Sequence, residues 1–301
     1  MNNSIKHIKH KNIDKTKWDQ LVESANNSFV FNFSWYLDKM CEWDAIILGD
    51  YDGAIPLPNQ VIYSLKKVYQ PSFVQKSNWF GLEPNGEWES VVLSILKKQY
   101  NTFHFNTDFN LFGKPSNRIN LILELTDYVD IRSAYSKSLK RNLKRSSHLL
   151  SINEDLEPEN TVRLYQQAHG KNNPQLQHVQ YTRICELVRS HPSYFKCINV
   201  TDGGETVASI LLACHNKRMH YIMGAPSELG KKHNALSIAI NYAIESNCET
   251  YQVFDFEGSV IPSVKEFYKR FGTQTEFFYE NLFLPAYLKP LQWIYKRLLK
   301  S

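Results

Sequence analysis

Paired cysteines are missing. The five that occur, Cys41, Cys185, Cys197, Cys214 and Cys248, are scattered, and none stands in a Cys-x-x-Cys pair. That pattern supports neither a disulfide framework nor a zinc site, and it suits small core residues; no metal centre is expected. Long apolar runs are absent too, so no segment is expected to span a membrane. Residues 1–14 are polar and basic, without the apolar stretch of a secretory leader. Together with the thiol pattern, this points to a reducing cytoplasm. Neither sign of charge is in large excess: the net charge is +5 over 301 residues, which admits an acidic ligand but demands none. No Ser-His-Asp or Cys-His spacing announces a nucleophile.

What is present reads as an alternation of helices and strands. Residues 14–25 place Trp18, Leu21, Val22 and Ala25 on one helical face, and a second helix follows with Ser34 as its candidate N-cap. Two strands come next, joined by the turn Asp50-Tyr-Asp-Gly53. The aromatic and amide-rich stretch 68–80 has no helical period and suits either a groove lining or a plug over the core. Residues 87–100 predict a helix with Val91, Ile95 and Leu96 inward, followed by two alternating strands. His104 is expected on a sheet face as a hydrogen-bonded residue. Residues 127–150 carry a basic run in which Leu139 and Leu143 form an apolar face, and Lys137, Lys140, Arg141, Lys144 and Arg145 coat the rest. Two helices, a three-strand meander, a loop, a helix and a strand then lead to residues 253–272.

That last stretch is Val-Phe-Asp-Phe-Glu-Gly-Ser followed by Phe-Tyr-Lys-Arg-Phe-Gly272. Strand alternation puts Phe254 and Phe256 on one face and Asp255 on the other, with Glu257 expected beside it. Pro262, and Ser263 with Glu266 three residues on, predict a helix start with a capping box; Val264, Phe267 and Phe271 share a face. Two carboxylates at the end of a core strand are costly unless paired or used. The basic helix offers Lys265, Lys269 and Arg270 as partners.

The Asp-Phe-Glu-Gly-Ser strand and the Phe-Tyr-Lys-Arg-Phe-Gly helix resemble the C-terminal motif of the FemAB-like branch of the GNAT superfamily. The run Arg141-Asn-Leu-Lys-Arg145 resembles the basic helix that opens the second domain of that branch. The resemblance covers the second half well and the first half by element order. It implies an α/β (α+β) fold of two tandem GNAT-like domains, each a mixed, mostly antiparallel sheet flanked by helices. Expected boundaries are 1–125 and 126–282, with a basic amphipathic helix at 283–301.

It also implies an acyl- or aminoacyltransferase that moves an activated acyl group onto an amine of an envelope or small-molecule precursor. Acyl-CoA and aminoacyl-tRNA are the donors to weigh. Asp255, Glu257 and Tyr221 are the catalytic candidates; Arg141, Lys144, Lys265, Tyr268 and Lys269 are candidates for substrate binding. The loop before the central helix holds Gly230, Lys231, Lys232, His233 and Asn234 as donor-binding candidates. It lacks the Gly-x-Gly that lets backbone N–H groups reach a pyrophosphate. That departure keeps a second reading open, a non-catalytic binding or scaffold protein on a degenerate fold. The stripe Tyr287, Leu288, Leu291, Ile294, Tyr295, Leu298 and Leu299 suits docking on the protein's own body, a membrane surface or another subunit.

Overall fold

The computed structural model describes residues 4–113, 118–172, 176–258 and 261–290. The chain forms two compact units: residues up to Arg118 with those from Phe278 onward, and residues from Ile119 to Phe277.

The first unit contains β1 (Ile5–Ile8), α1 (Lys15–Ser24), α2 (Ser34–Met40), β2 (Glu42–Leu48), β3 (Gly53–Ile62), β4 (Leu65–Tyr69), β5 (Phe80–Gly81), α3 (Trp88–Gln99) and β6 (Thr102–Thr107). Asp14 caps α1 by accepting from the N–H groups of Thr16 and Lys17, both at 3.1 Å. Trp18 and Val22 turn inward, and Trp18 packs on Trp43. Ser34 is not the cap of α2. Phe33 takes that position, and the Ser34 N–H and hydroxyl both donate to Asp19, tying α2 to α1. In α3 the buried residues are Trp88, Val92 and Leu96, whereas Val91 is 44% exposed. The expected phase is rotated because Trp88 anchors the first turn against Trp79. The aromatic stretch is a plug: Lys76, Ser77, Asn78, Trp79 and Phe80 are all buried. His104 lies on a sheet face and meets Glu280 at 2.8 Å.

The second unit takes β7 (Arg118–Glu124), α4 (Tyr128–Ala134), α5 (Lys137–Ser146), β8 (Ser151–Asp155), α6 (Pro158–His169), α7 (His178–Ser190), β9 (Phe195–Asp202), β10 (Glu205–His215), β11 (Arg218–Pro226), α8 (Glu228–Lys232), α9 (Ala235–Asn247), β12 (Val253–Asp255) and α10 (Pro262–Lys269). The chain returns to the first unit along β13 (Gln274–Phe283). The loop expected before α9 contains the extra helix α8. Leu139 and Leu143 bury as the α5 pattern predicts.

The two sheets repeat one plan. In the first, β1, β2, β3 and β4 form an antiparallel meander, β6 pairs parallel to β4, and β13 closes antiparallel to β6. In the second, β8, β9, β10 and β11 form the meander, β12 pairs parallel to β11, and β7 closes antiparallel to β12. The closing strand of each sheet therefore comes from the far side of the chain. The strand Arg118–Glu124, which the 1–125 reading gives to the first half, hydrogen-bonds in the second sheet. Residues 278–283 serve the first. The tail from Ala286 begins with a single 3-10 turn to Leu288; the rest of the expected amphipathic helix, from residue 291, lies outside the described residues.

Candidate active-site cleft

A cleft of about 290 Å³ opens in the second unit, among β11, the start of α9, α10 and the end of α6. Its walls include Tyr221, Gly224, Gly230, Asn234, Tyr268 and His169. Tyr221 and Gly224 are three residues apart, so a regular strand would turn them to opposite faces. The register between β10 and β11 shifts at Leu211/Leu212, pairing Leu211 with Met223 and Leu212 with Tyr221. Ile222 is thus the extra residue of a bulge, and the bulge returns Tyr221 and Gly224 to one side. A Cβ at position 224 would overlap the Tyr221 hydroxyl, so glycine is what lets the ring lie over this strand.

Burial holds both phenols protonated. It raises Tyr221 well above the ordinary value, aided by Tyr268 and Tyr165; it raises Tyr268 too, aided by Tyr165 and Glu257. Their rings meet edge to face at 6.0 Å. His169 is shifted the other way. Burial, then the nearby Lys231 charge, lower its pKa from 6.5, so the imidazole is neutral at pH 7. Its ring lies 4.9 Å from Tyr165, one helical turn back. The lining of the cleft therefore includes a neutral imidazole and two phenols, group types suited to moving protons during acyl transfer.

Of the residues singled out from sequence, Tyr221, Tyr268, Gly230, Lys231 and Asn234 line this cleft. Gly230 packs so closely that a Cβ would overlap the Val207 carbonyl oxygen, and its N–H already donates to the Ser227 hydroxyl at 3.1 Å. Lys231 pairs with Glu228 at 2.6 Å. Asn234 adopts a left-handed conformation at the N-cap of α9, and its side-chain oxygen accepts from Asn142 of α5 at 3.0 Å. Lys232 and His233 are not in the lining; His233 faces Asp202 at 4.0 Å.

The other candidates lie apart. Arg141 is exposed on α5, and Lys144 borders a separate hollow with Tyr128, Arg132 and Glu245. Lys265 and Lys269 of α10 are not in the lining of the cleft, and Lys269 pairs with Glu266 at 2.8 Å. The expected capping box of α10 does not form: Ile261 is the N-cap, and Pro262 opens the helix.

Asp255 and Glu257 do not line the cleft either. Phe254 and Phe256 pack in the core with Tyr221, as alternation requires, so Asp255 turns to the other face of the sheet. There it is fully buried, and its partner is Arg218 rather than the α10 lysines. The Arg218 Nε and Nη2 donate to Asp255 Oδ2 at 2.9 and 2.6 Å, and Nη1 and Nη2 donate to Glu276 at 3.2 and 2.8 Å. Asn120 Nδ2 donates to Asp255 at 2.8 Å, and the Glu257 N–H to Asp255 at 2.7 Å. Burial opposes the Arg218 charge, but the two carboxylates outweigh it and raise its pKa. Glu257 has a positive φ of 57°, which ends the alternation; its carboxylate comes within 3.3 Å of His220.

Sequence reasoning missed His169 and Arg218. His169 carried a weak signal, a histidine at the C-terminal turn of a well-delimited helix. Arg218 carried none, because its partners are 37 and 58 residues away. Among the described residues no cluster of His, Cys, Asp or Glu has the geometry of a metal site, and no helix is long and apolar enough to cross a membrane.

No family model matches the sequence, and no curated protein matches it either. Solved structures do. FemX aligns at TM-score 0.67 and 9% identity, over 92% of this chain and 97% of its own. L-PGS from Bacillus licheniformis aligns at 0.54 and 11%, over 95% and 96%. A tandem GNAT protein from the clavulanic acid biosynthesis pathway aligns at 0.51 and 11%, over 94% and 100%. At such identities the likeness speaks for the fold, and it agrees with the repeated sheet plan: the chain has a FemAB-like fold of two tandem GNAT-like domains, each a mixed, mostly antiparallel sheet flanked by helices.

Proposed function

We propose that the protein is an acyl- or aminoacyltransferase whose chemistry takes place in the cleft of the second unit. The observation that carries this reading is the neutral His169 in one cleft with two buried phenols, Tyr221 and Tyr268. An acceptor amine attacks the acyl carbonyl carbon, a C–N bond forms, and His169 takes the proton the amine gives up. A phenol O–H stabilises the developing oxyanion. Collapse of the intermediate breaks the bond to the leaving group, which regains a proton from the imidazolium.

Gly230 has its N–H engaged, and the loop lacks a second glycine, so the backbone offers little to the pyrophosphate of CoA. This favours an aminoacyl ester such as aminoacyl-tRNA over acyl-CoA as donor, with a cell-wall or other small precursor amine as acceptor. Arg141, Lys144, Lys265 and Lys269 then act at a distance, by steering an anionic substrate. Asp255 and Glu257 act as positioning groups: Asp255 fixes the β12 end, and Glu257 biases the Tyr268 phenol. A cytoplasmic location and a peripheral membrane contact through residues 284–301 belong to the same reading.

The test is transfer of radiolabelled acyl groups from acyl-CoAs and aminoacyl-tRNAs to a panel of amines, run beside thermal shift with each donor. Transfer that falls at least a hundredfold in His169→Ala, with the melting temperature kept, supports the reading. Thermal stabilisation without transfer by any donor replaces it with a binding role.

A further inference from the structure

The β3–β4 hairpin of the first unit ends in three consecutive exposed apolar or aromatic side chains. Val61 is 62% exposed, Ile62 44% and Tyr63 96%. The turn is tight and stiff: Tyr63 and Ser64 both have positive φ, 48° and 66°, as a two-residue hairpin turn requires. The register then fixes what stands behind the tip. Ile62 pairs with Leu65, Val61 with Lys66, and Gln60 with Lys67. Directly opposed residues share a face, so Lys66 lies on the Val61 face and Lys67 on the Ile62 face. Each face of an apolar tip thus carries a lysine one or two residue pairs back, about 3–7 Å from the last pair at the usual rise of a strand. Both lysines are half-buried. The carboxylate of Glu42, opposite Asn59, stands one pair behind Lys67.

A protein partner would need a surface of some 20–30 residues, which three side chains at a convex tip do not supply. A bilayer needs less. Apolar groups set about 5–10 Å into the headgroup boundary, an interfacial tyrosine and cations at phosphate level are the features that hold a peripheral protein on anionic lipid. We infer that the Val61-Ile62-Tyr63 tip, girdled by Lys66 and Lys67, inserts into the surface of an anionic bilayer. The inference is independent of the chemistry proposed for the cleft.

The experiment is flotation of the full chain with vesicles of phosphatidylcholine alone and of phosphatidylcholine with phosphatidylglycerol. The expected result is binding to the anionic vesicles, weakened by salt. Ile62→Asp with Tyr63→Asp should weaken it by roughly tenfold or more, and Lys66→Gln with Lys67→Gln should remove the preference for anionic lipid. Tyr63→Trp should show blue-shifted emission, quenched by brominated acyl chains. Ile62 is exposed and Tyr63 is exposed at the turn, Lys66 and Lys67 are half-buried in β4, and unchanged melting curves check that the variants fold. Three results overturn the inference: no flotation of the wild type, flotation kept by the tip variant, or a dimer in solution that Ile62→Asp dissociates.

Discussion

Replacing Arg218 by methionine tests which group neutralises the buried carboxylate at the end of β12. The sequence alone nominates Lys265, Lys269 and Arg270; the structure pairs Asp255 with Arg218. Methionine keeps much of the stem volume and removes the guanidinium. Asp255 is then left fully buried with its Asn120 and Glu257 N–H bonds and the His220 ring at 3.5 Å, but without its two charge-assisted bonds from arginine. Leaving one member of a buried ion pair behind typically costs about 3–5 kcal/mol. The remaining donors place this case near the low end, about 3 kcal/mol, with a smaller share from the partly exposed Glu276. That is a large fraction of the roughly 5–15 kcal/mol that keeps a domain folded. Urea unfolding should therefore show a lowered midpoint with an unchanged slope. Arg218→Met combined with Asp255→Asn should recover part of the loss, because the stranded charge is gone, and the double-mutant cycle should give coupling above about 1 kcal/mol. Lys265→Ala and Lys269→Ala should each stay within about 0.5 kcal/mol of wild type. A loss below about 1 kcal/mol for Arg218→Met, or a large one for Lys269→Ala, would refute the assignment.

For His169, burial and Lys231 set the folded pKa below 6.5. As pH falls through 6.5 the unfolded chain takes up the proton first, so this group makes stability decline with acid, and His169→Gln should flatten that part of a melting-temperature profile. The acid limb of any transfer activity should likewise lie below pH 6.5. Gly230→Ala should cost about 2 kcal/mol in chemical denaturation, because its Cβ meets backbone that cannot move aside. Val92→Ala should cost about 2 kcal/mol and the neighbouring Val91→Ala less than about 0.5, which reads out the phase of α3 directly. Calorimetry should find CoA binding weaker than low micromolar, for want of a glycine-rich cradle.

The sequence by itself determined most of the local structure. Periodicity located the helices and strands, Pro262 marked a helix start, and the Asp-Gly turn marked a hairpin; these depend on residues within a few positions of one another. It also determined that Phe254 and Phe256 are core and that Asp255 faces the other way, since alternation is local. The FemAB-like fold was legible because motif and element order are both linear features. Only the tertiary structure decided what depends on distant partners. The pairing of Arg118–Glu124 with β12 and of β13 with β6 is a choice between strands of similar local character, made by the sheets as wholes. The Arg218–Asp255–Glu276 network joins residues that no spacing rule connects. The cleft exists because a bulge at Ile222 turns Tyr221 toward Gly224, while α6 brings His169 from another part of the chain. A bulge is set by the pairing of two strands and a cleft by the packing of several elements, so neither leaves a signature in any one of them.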